Sequence, residues 1–137
     1  MRKRLHTAAL RDERGATVVE FAFIVPLLIV LVLGIAEFGH AFQVSGTLSA
    51  AAREGVRVMA LQNDRAAAID AARNAAAGLN PALTVGQVKV PATCPAPGPG
   101  GQTATVQLTI DYPMPFLTGF FGSSITLHGT GVMRCNG

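Results

Sequence analysis

Residues 15–36 read Gly-Ala-Thr-Val-Val-Glu-Phe-Ala-Phe-Ile-Val-Pro-Leu-Leu-Ile-Val-Leu-Val-Leu-Gly-Ile-Ala, an apolar run in which Glu20 is the single charged residue. A helix over residues 16–36 would be about 31 Å long, which matches the ~30 Å hydrocarbon core of a bilayer. The run therefore predicts a transmembrane helix, and Pro26 predicts a kink in it because proline removes one helical hydrogen bond. A carboxylate in such a span costs about 2.5–3.5 kcal/mol at the centre and less near the interface, so we expect Glu20 to have a specific role.

The charge of the chain is concentrated before this run. The 137 residues carry a net charge of +3, and residues 1–14 hold five basic side chains against Asp12 and Glu13. The remainder is formally neutral, which argues against nucleic-acid binding. Basic residues beside a membrane helix stay in the cytoplasm, so we expect the N-terminus inside and the C-terminal part outside. Residues 1–14 show no apolar periodicity and are expected to be disordered.

Two cysteines, Cys94 and Cys135, fall in the part expected to lie outside the cytoplasm. A disulfide between them persists in an oxidising compartment, and on the chain-entropy account it contributes about 4 kcal/mol of stability. The alternative is a pair of buried free thiols. We expect the disulfide.

The helical pattern continues beyond the apolar run. Residues 37–61 are amphipathic, and small apolar residues between 41 and 58 line one face, which lets another element approach closely. That element is either the protein's own sheet or the helix of a neighbouring subunit. Asp64 is a typical N-cap for a short second helix over residues 65–77, which Gly78 and the Asn80-Pro81 pair end.

After Leu83 the pattern predicts strands. Residues 84–90 form a first strand, 103–112 a second that ends at Pro113, and 125–135 a third, with a Pro- and Gly-rich loop around Cys94. The fold class is therefore α+β: a long N-terminal helix, transmembrane then amphipathic, a short second helix and a small antiparallel sheet. The apolar loop Phe116–Phe121 is either a contact surface or folded back onto the sheet, and we expect it to fold back.

No enzyme chemistry is predicted. His128 is expected to be an exposed strand residue, because Asp111, Ser123 and Ser124 follow no spacing of a catalytic triad. His128, Cys94 and Cys135 match no zinc-binding spacing, so we predict no metal site, and no cofactor or small-molecule substrate.

The start of the apolar run is the stronger candidate site. Gly15 has no side chain and would let a protease reach the backbone between Gly15 and Ala16. The new ammonium group of Ala16 would then lie four residues before Glu20, on the same helix face, in this chain or a neighbouring one. The alternative is an interfacial Glu20 that extends to the lipid headgroups of an ordinary anchor.

A basic leader followed by Gly-x-x-x-x-Glu and about sixteen apolar residues resembles the class III signal of type IV pilins and pseudopilins. Within that group, Arg14–Leu28 is similar to TadE-like proteins of the tight adherence (Tad, Flp) pilus system. The similarity continues through Gly34-Ile-Ala-Glu-Phe-Gly39 and Ala51-Ala-Arg-Glu-Gly-Val-Arg57, and weakly through Thr130–Arg134.

This resemblance implies a minor pseudopilin or pilus assembly protein. A prepilin peptidase would remove the cytoplasmic leader 1–15 by cutting between Gly15 and Ala16, and Glu20 would be the docking carboxylate toward other pilins, pseudopilins and Tad assembly proteins. The mature chain would hold a transmembrane helix over 16–36, an amphipathic continuation over 37–61 and an extracytoplasmic α+β domain over 62–137. We expect it in the inner membrane as a single-pass protein and as a candidate component of the pilus itself. Glu37 fits the family pattern, but it is equally well explained as a solvated helix residue.

Two alternatives compete with this interpretation. The first is a secreted binding or enzymatic domain whose first 41 residues are a signal peptide, cleaved after Ala41, although the apolar region exceeds an ordinary signal core of 7–15 residues. The second is an uncleaved single-pass anchor that carries a binding domain, in which Glu20 would be dispensable.

Overall fold

The computed structural model describes residues 9–135, with side chains from residue 15 onward. Its elements in chain order are α1 (Ala9–Gln62), α2 (Arg65–Ala75), a single 3₁₀ turn (Val85–Gln87), β1 (Val88–Lys89), β2 (Thr105–Pro115) and β3 (Ser124–Arg134). The architecture is α+β, as predicted. The chain divides after Phe38 into an N-terminal unit and a second unit that starts at Gly39, here called the folded body.

Helix α1 begins earlier than the sequence predicted. Residues 9–14 are helical, so the expectation of a disordered leader is wrong there, and the expectation for residues 1–8 lies outside the described residues. Ala9, Leu10 and Arg11 are strong helix formers, and adding turns to an existing helix costs little once it has nucleated. The leader was predicted to be disordered because residues 1–14 show no apolar periodicity. Such periodicity is required only where a helix packs against another part of the protein, so its absence does not exclude a helix.

Helix α2 begins where the sequence predicted and ends two residues early. The Asp64 side chain caps it by accepting hydrogen bonds from the backbone N–H groups of Ala66 (2.8 Å) and Ala67 (3.1 Å). Two arginine side chains then tie the helix to the segment that follows it: Arg65 donates to the carbonyl of Val90, and Arg73 to that of Leu83.

The three strands form an antiparallel sheet in the order β1-β2-β3. The predicted first strand is mostly wrong, because residues 85–87 form a 3₁₀ turn and only Val88 and Lys89 pair with β2. The Gln87 side chain accepts the Thr84 N–H at 2.8 Å, and this cap stabilises the turn in place of a strand.

Strand β2 continues through two prolines that were predicted to end it. Across the hairpin, the Phe116 N–H donates to the carbonyl of Ser123, so the even-numbered residues of β2 direct their N–H groups toward β3. Pro113 and Pro115 therefore face the opposite edge, which the two-residue β1 leaves uncovered there. Neither proline removes a hydrogen bond from the sheet, so both are tolerated.

The core of the folded body lies between the C-terminal part of α1, α2 and the inner face of the sheet. The predicted alternation in β2 is confirmed, since Val106, Leu108, Ile110 and Tyr112 are buried. The Tyr112 hydroxyl donates to the carbonyl of Pro81 (2.6 Å), and burial raises the pKa of this phenol. A disulfide joins Cys94 to Cys135, as predicted, and anchors the Pro- and Gly-rich loop beside the end of β3.

Candidate functional site

The candidate site identified in the sequence lies on the exposed part of α1. Every residue from 15 to 32 is exposed on the helix, so no other described part of the chain covers this surface. The helical segment Gly15–Gln62 contains a stretch of 18 residues with a mean hydropathy of 2.9, and no residue of that stretch is buried. By length and composition, this helix is able to cross a membrane. An apolar surface of this kind needs lipid or other helices around it.

Gly15 lies inside this exposed helix. A Cβ atom added to Gly15 would meet nothing within 4 Å, so packing among the described residues does not require a glycine here. Glycine in a helix interior is less favourable than alanine by about 0.5–1 kcal/mol, which makes this turn easier to open than its neighbours. The Gly15 backbone is thus both accessible and locally weakened.

Glu20 is also exposed, and the residues around it on the helix are apolar. Val19 and Phe21 are 57% and 63% exposed, so the carboxylate stands on an apolar surface. Ala16 lies one turn before it on the same helix face, which is the geometry that the sequence predicted for a pair between Glu20 and a new N-terminus. Pro26 lies within the continuous helix α1, where it cannot donate to the carbonyl of Ala22, and the bend at this position stays a prediction.

Glu37 does not behave as a solvated helix residue. It is 3% exposed and takes part in an interaction, so the interpretation as a solvent-facing residue is wrong. The charge pattern alone gave no sign of this.

The small-residue face between 41 and 58 packs on the protein's own body. Leu48, Ala51 and Ala52 are 0% exposed, and strand β3 lies directly against Leu48 and Ala52. Of the two elements that the sequence left open, the protein's own sheet is therefore the one that covers this face. The hypothesis that this face forms the continuing contact with a neighbouring subunit is wrong, because it is already occupied.

The apolar loop between β2 and β3 does not fold back onto the sheet, contrary to the prediction. Leu117, Phe120 and Phe121 are 61%, 63% and 46% exposed. Gly119 and Gly122 have positive φ angles, and the Gly122 N–H donates to the carbonyl of Gly119, so the loop makes a tight turn. Residues 117–122 are all exposed, and Phe116 is only half-buried.

A polar cluster crosses the outer face of the sheet. Asp111 on β2 accepts a hydrogen bond from Lys89 Nζ on β1, and its other carboxylate oxygen lies 2.7 Å from His128 Nδ1 on β3. Hydrogen bonding by Lys89 first, then by His128, holds the pKa of Asp111 below its ordinary value of 3.8. His128 is exposed, as predicted, but sequence reasoning missed Lys89, which donates to the other oxygen of the same Asp111 carboxylate.

This cluster is not a catalytic triad. Ser124 pairs with Pro115 and lies four residues from His128 along β3, about 13 Å away, which is far beyond hydrogen-bond reach. The disulfide also takes up both thiols that were weighed as zinc ligands with His128.

Comparison with known proteins identifies the N-terminal part of the chain. A family model described as TadE-like protein matches residues 15–57, about a third of the chain, and the match begins at the candidate cleavage residue Gly15. No curated protein and no solved structure matches the chain. The resemblance found in the sequence is thereby confirmed for this segment, which is similar to the TadE-like family. This is not a family of enzymes.

Proposed function

We propose that this chain, with its TadE-like segment at residues 15–57, is a minor pseudopilin that acts in assembly of a tight adherence (Tad, Flp) pilus. The observation that carries the proposal is the family match itself, which starts at Gly15 and includes Glu20. The exposed apolar helix supports it, since this surface is open to lipid before assembly and to neighbouring helices afterwards.

In the proposed sequence of events, the chain first inserts into the inner membrane as a single-pass protein. The basic leader stays in the cytoplasm and the folded body, including residues 62–137, lies outside. A prepilin peptidase then opens the weak helical turn at Gly15 and hydrolyses the peptide bond to Ala16. The proposed mature chain starts at Ala16 and retains the transmembrane segment 16–36 and the continuation 37–61.

The cleavage changes the electrostatics around Glu20. In the uncut helix, the backbone of residue 16 is an internal, neutral part of α1. After the cut, Ala16 carries an ammonium group at a helix N-terminus, where both that group and the helix dipole favour a carboxylate within the first turns. Within the membrane such a pair offsets much of the cost of burying Glu20, whether the partner ammonium is in the same chain or in a neighbouring one.

Mass spectrometry of the membrane-bound protein tests the processing step. We expect Ala16 as the N-terminus in cells that contain the peptidase, and the uncut leader after Gly15→Leu, because a bulky side chain blocks close approach to the backbone. Gly46→Leu is the matched control: it is another exposed glycine of α1 with nothing within 4 Å of its added Cβ, and it should be processed normally. An intact leader in the parent protein would contradict processing, and an N-terminus at Phe42 would favour a secreted domain with an ordinary signal peptide.

The role of Glu20 is tested separately from cleavage. Glu20→Ala should be cut and inserted normally yet lose most pilus formation, measured by pilus yield in sheared fractions. Glu54→Ala is the matched control, because Glu54 is an exposed glutamate of the same helix whose one ion pair is the surface contact with Arg57 at 3.8 Å. Normal piliation with Glu20→Ala would support a plain membrane anchor instead.

A further inference from the structure

We propose that the loop Phe116–Gly122 is a second membrane contact, which inserts its apolar side chains into the interfacial layer of the bilayer. The proposal depends on the membrane insertion of α1 but not on any role in a pilus. It starts from the large exposed fractions of the apolar side chains Leu117, Phe120 and Phe121.

Several exposed apolar side chains lie close together in sequence at this loop. Phe120 and Phe121 pack edge to face with their ring centroids 5.3 Å apart, and Leu117 lies on the same turn. Ile125, at the start of β3, is 44% exposed although it faces the same side of the sheet as the core. The paired rings of Phe120 and Phe121, with Leu117 in the same loop and Ile125 just after it, concentrate exposed apolar surface at this end of the β2–β3 hairpin.

The position of the loop follows from how β3 packs on α1 within the folded body. Gly129 lies against Leu48 and Gly131 against Ala52, so strand and helix residue numbers rise together. Two residues of strand, about 7 Å, correspond to four residues of helix, about 6 Å. Ile125 lies four residues before Gly129, about 13 Å along β3, which corresponds to about nine residues of helix.

Counting back from Leu48 by that amount places Ile125 near the level of Gly39. Gly39 is the first residue of the folded body and is joined through α1 to the apolar segment. Within the folded body, the loop therefore lies at the same end as Gly39, the residue at which the body begins. Phe42, 78% exposed on the next turn of α1, marks the same end of the body with another apolar ring.

The chemistry of the loop fits lipid better than a protein partner with a charged surface. The sixteen residues from Tyr112 to Leu127 contain no Asp, Glu, Lys or Arg. A bilayer interface accepts Phe and Leu side chains and penalises charge, and it requires no directional partner groups. With no cationic residues in the loop, its insertion should be independent of anionic lipid.

Tryptophan fluorescence of the full chain in vesicles tests the insertion. The protein contains no Trp, so Phe120→Trp introduces a single tryptophan in the loop, which can be excited selectively. In vesicles of phosphatidylcholine brominated near the headgroup end of the acyl chains, we expect its emission to be quenched at least twofold and shielded from aqueous acrylamide. Replacing part of the lipid with phosphatidylglycerol should change neither result.

Val132→Trp is the matched control. Val132 is 60% exposed, close to the 63% of Phe120, but it lies near the other end of β3 on the outer face of the sheet. Its emission should be quenched by acrylamide and not by brominated lipid. Circular dichroism of each variant establishes that its secondary structure is retained.

Phe23→Trp, in the exposed apolar part of α1, separates failure of the loop from failure of the anchor. If bromine quenches Phe23→Trp but not Phe120→Trp, and acrylamide reaches the latter, the loop inference is overturned while the anchor stands. Shielding from acrylamide without bromine quenching would overturn it in favour of a protein contact. If Phe23→Trp itself escapes bromine quenching, the membrane premise fails and the inference with it.

Discussion

At the scale of single residues, two glycines of β3 decide how closely α1 approaches the sheet. A Cβ atom on Gly129 would lie 2.5 Å from the carbonyl oxygen of Leu48, and one on Gly131 would lie 2.5 Å from that of Ala52. Both obstacles are helix backbone, which cannot move aside as a flexible side chain can. The sequence shows that Gly129 and Gly131, two residues apart, share one face of β3. This spacing alone does not show which element packs against the two glycines.

Gly131→Ala should therefore destabilise the folded body. We expect a loss of about 1–3 kcal/mol in the free energy of unfolding, because the helix must shift away from the sheet. Urea unfolding of the full chain in detergent measures this, and the fluorescence of Tyr112 reports on the body because it is the only tyrosine and is 1% exposed. A change within about 0.5 kcal/mol of the parent would show that the close approach is unimportant.

Gly46→Ala is the control for the backbone effect of the substitution. It lies in α1, and its added Cβ would meet nothing within 4 Å. In a helix the change to alanine should stabilise by about 0.5–1 kcal/mol, the opposite sign from Gly131→Ala.

At the scale of elements, the three strands are tied together on their outer face by Asp111, Lys89 and His128. The carboxylate of Asp111 is the shared acceptor, so its protonation removes both contacts at once. Because the pKa of Asp111 is lowered in the folded protein, its contribution to stability is present above the unfolded value of 3.8 and is lost as pH falls through the lowered folded value.

Comparison of the parent with Asp111→Asn tests this pH dependence. The parent should be more stable at neutral pH, by a small amount because the site is open to solvent, and the difference should shrink as the pH is lowered below 3.8. Urea midpoints across the acid range measure it. Thr109→Val is the control, because Thr109 lies on the same sheet face but has no carboxyl group, and its shift of the urea midpoint should not vary with pH. A pH-independent difference between the parent and Asp111→Asn would contradict the stabilising role of the Asp111 carboxylate.

The elements also show where local sequence rules were overridden. The alternation in β2 predicted its buried face correctly, since that pattern reflects burial directly. The end of β2 was predicted wrongly at Pro113, because whether a proline breaks a strand depends on which edge its nitrogen faces. That direction is set by the pairing with β3 and by the short length of β1.

At the scale of the whole molecule, the disulfide between Cys94 and Cys135 closes a large part of the folded body, because the two cysteines have a sequence separation of 41. Replacing both cysteines by alanine should lower the free energy of unfolding by up to about 4 kcal/mol on the chain-entropy account. Urea unfolding again gives the value. A reductant should lower the free energy of unfolding of the parent toward that of the double variant and leave the value of the variant unchanged. If the reductant does not change the stability of the parent, the disulfide contributes little.

The sequence by itself determined the features that depend on local chemistry. These are the apolar membrane-length run with Glu20, the TadE-like motif, the Asp64 cap, the α+β class, the burial phase of β2 and the cysteine pair. Each follows from composition, spacing or a neighbour a few residues away.

Only the tertiary structure decided which surfaces remain open. The sequence predicted that the Phe116–Phe121 loop folds back onto the sheet, but the structure leaves it exposed. The sequence left open whether the sheet or a neighbouring subunit covers the small-residue face of α1, and the structure places the sheet there. It also buries Glu37. The physical reason is that an apolar side chain requires some partner but does not specify which one, and only the packing of β3 on α1 fixes that choice for each surface.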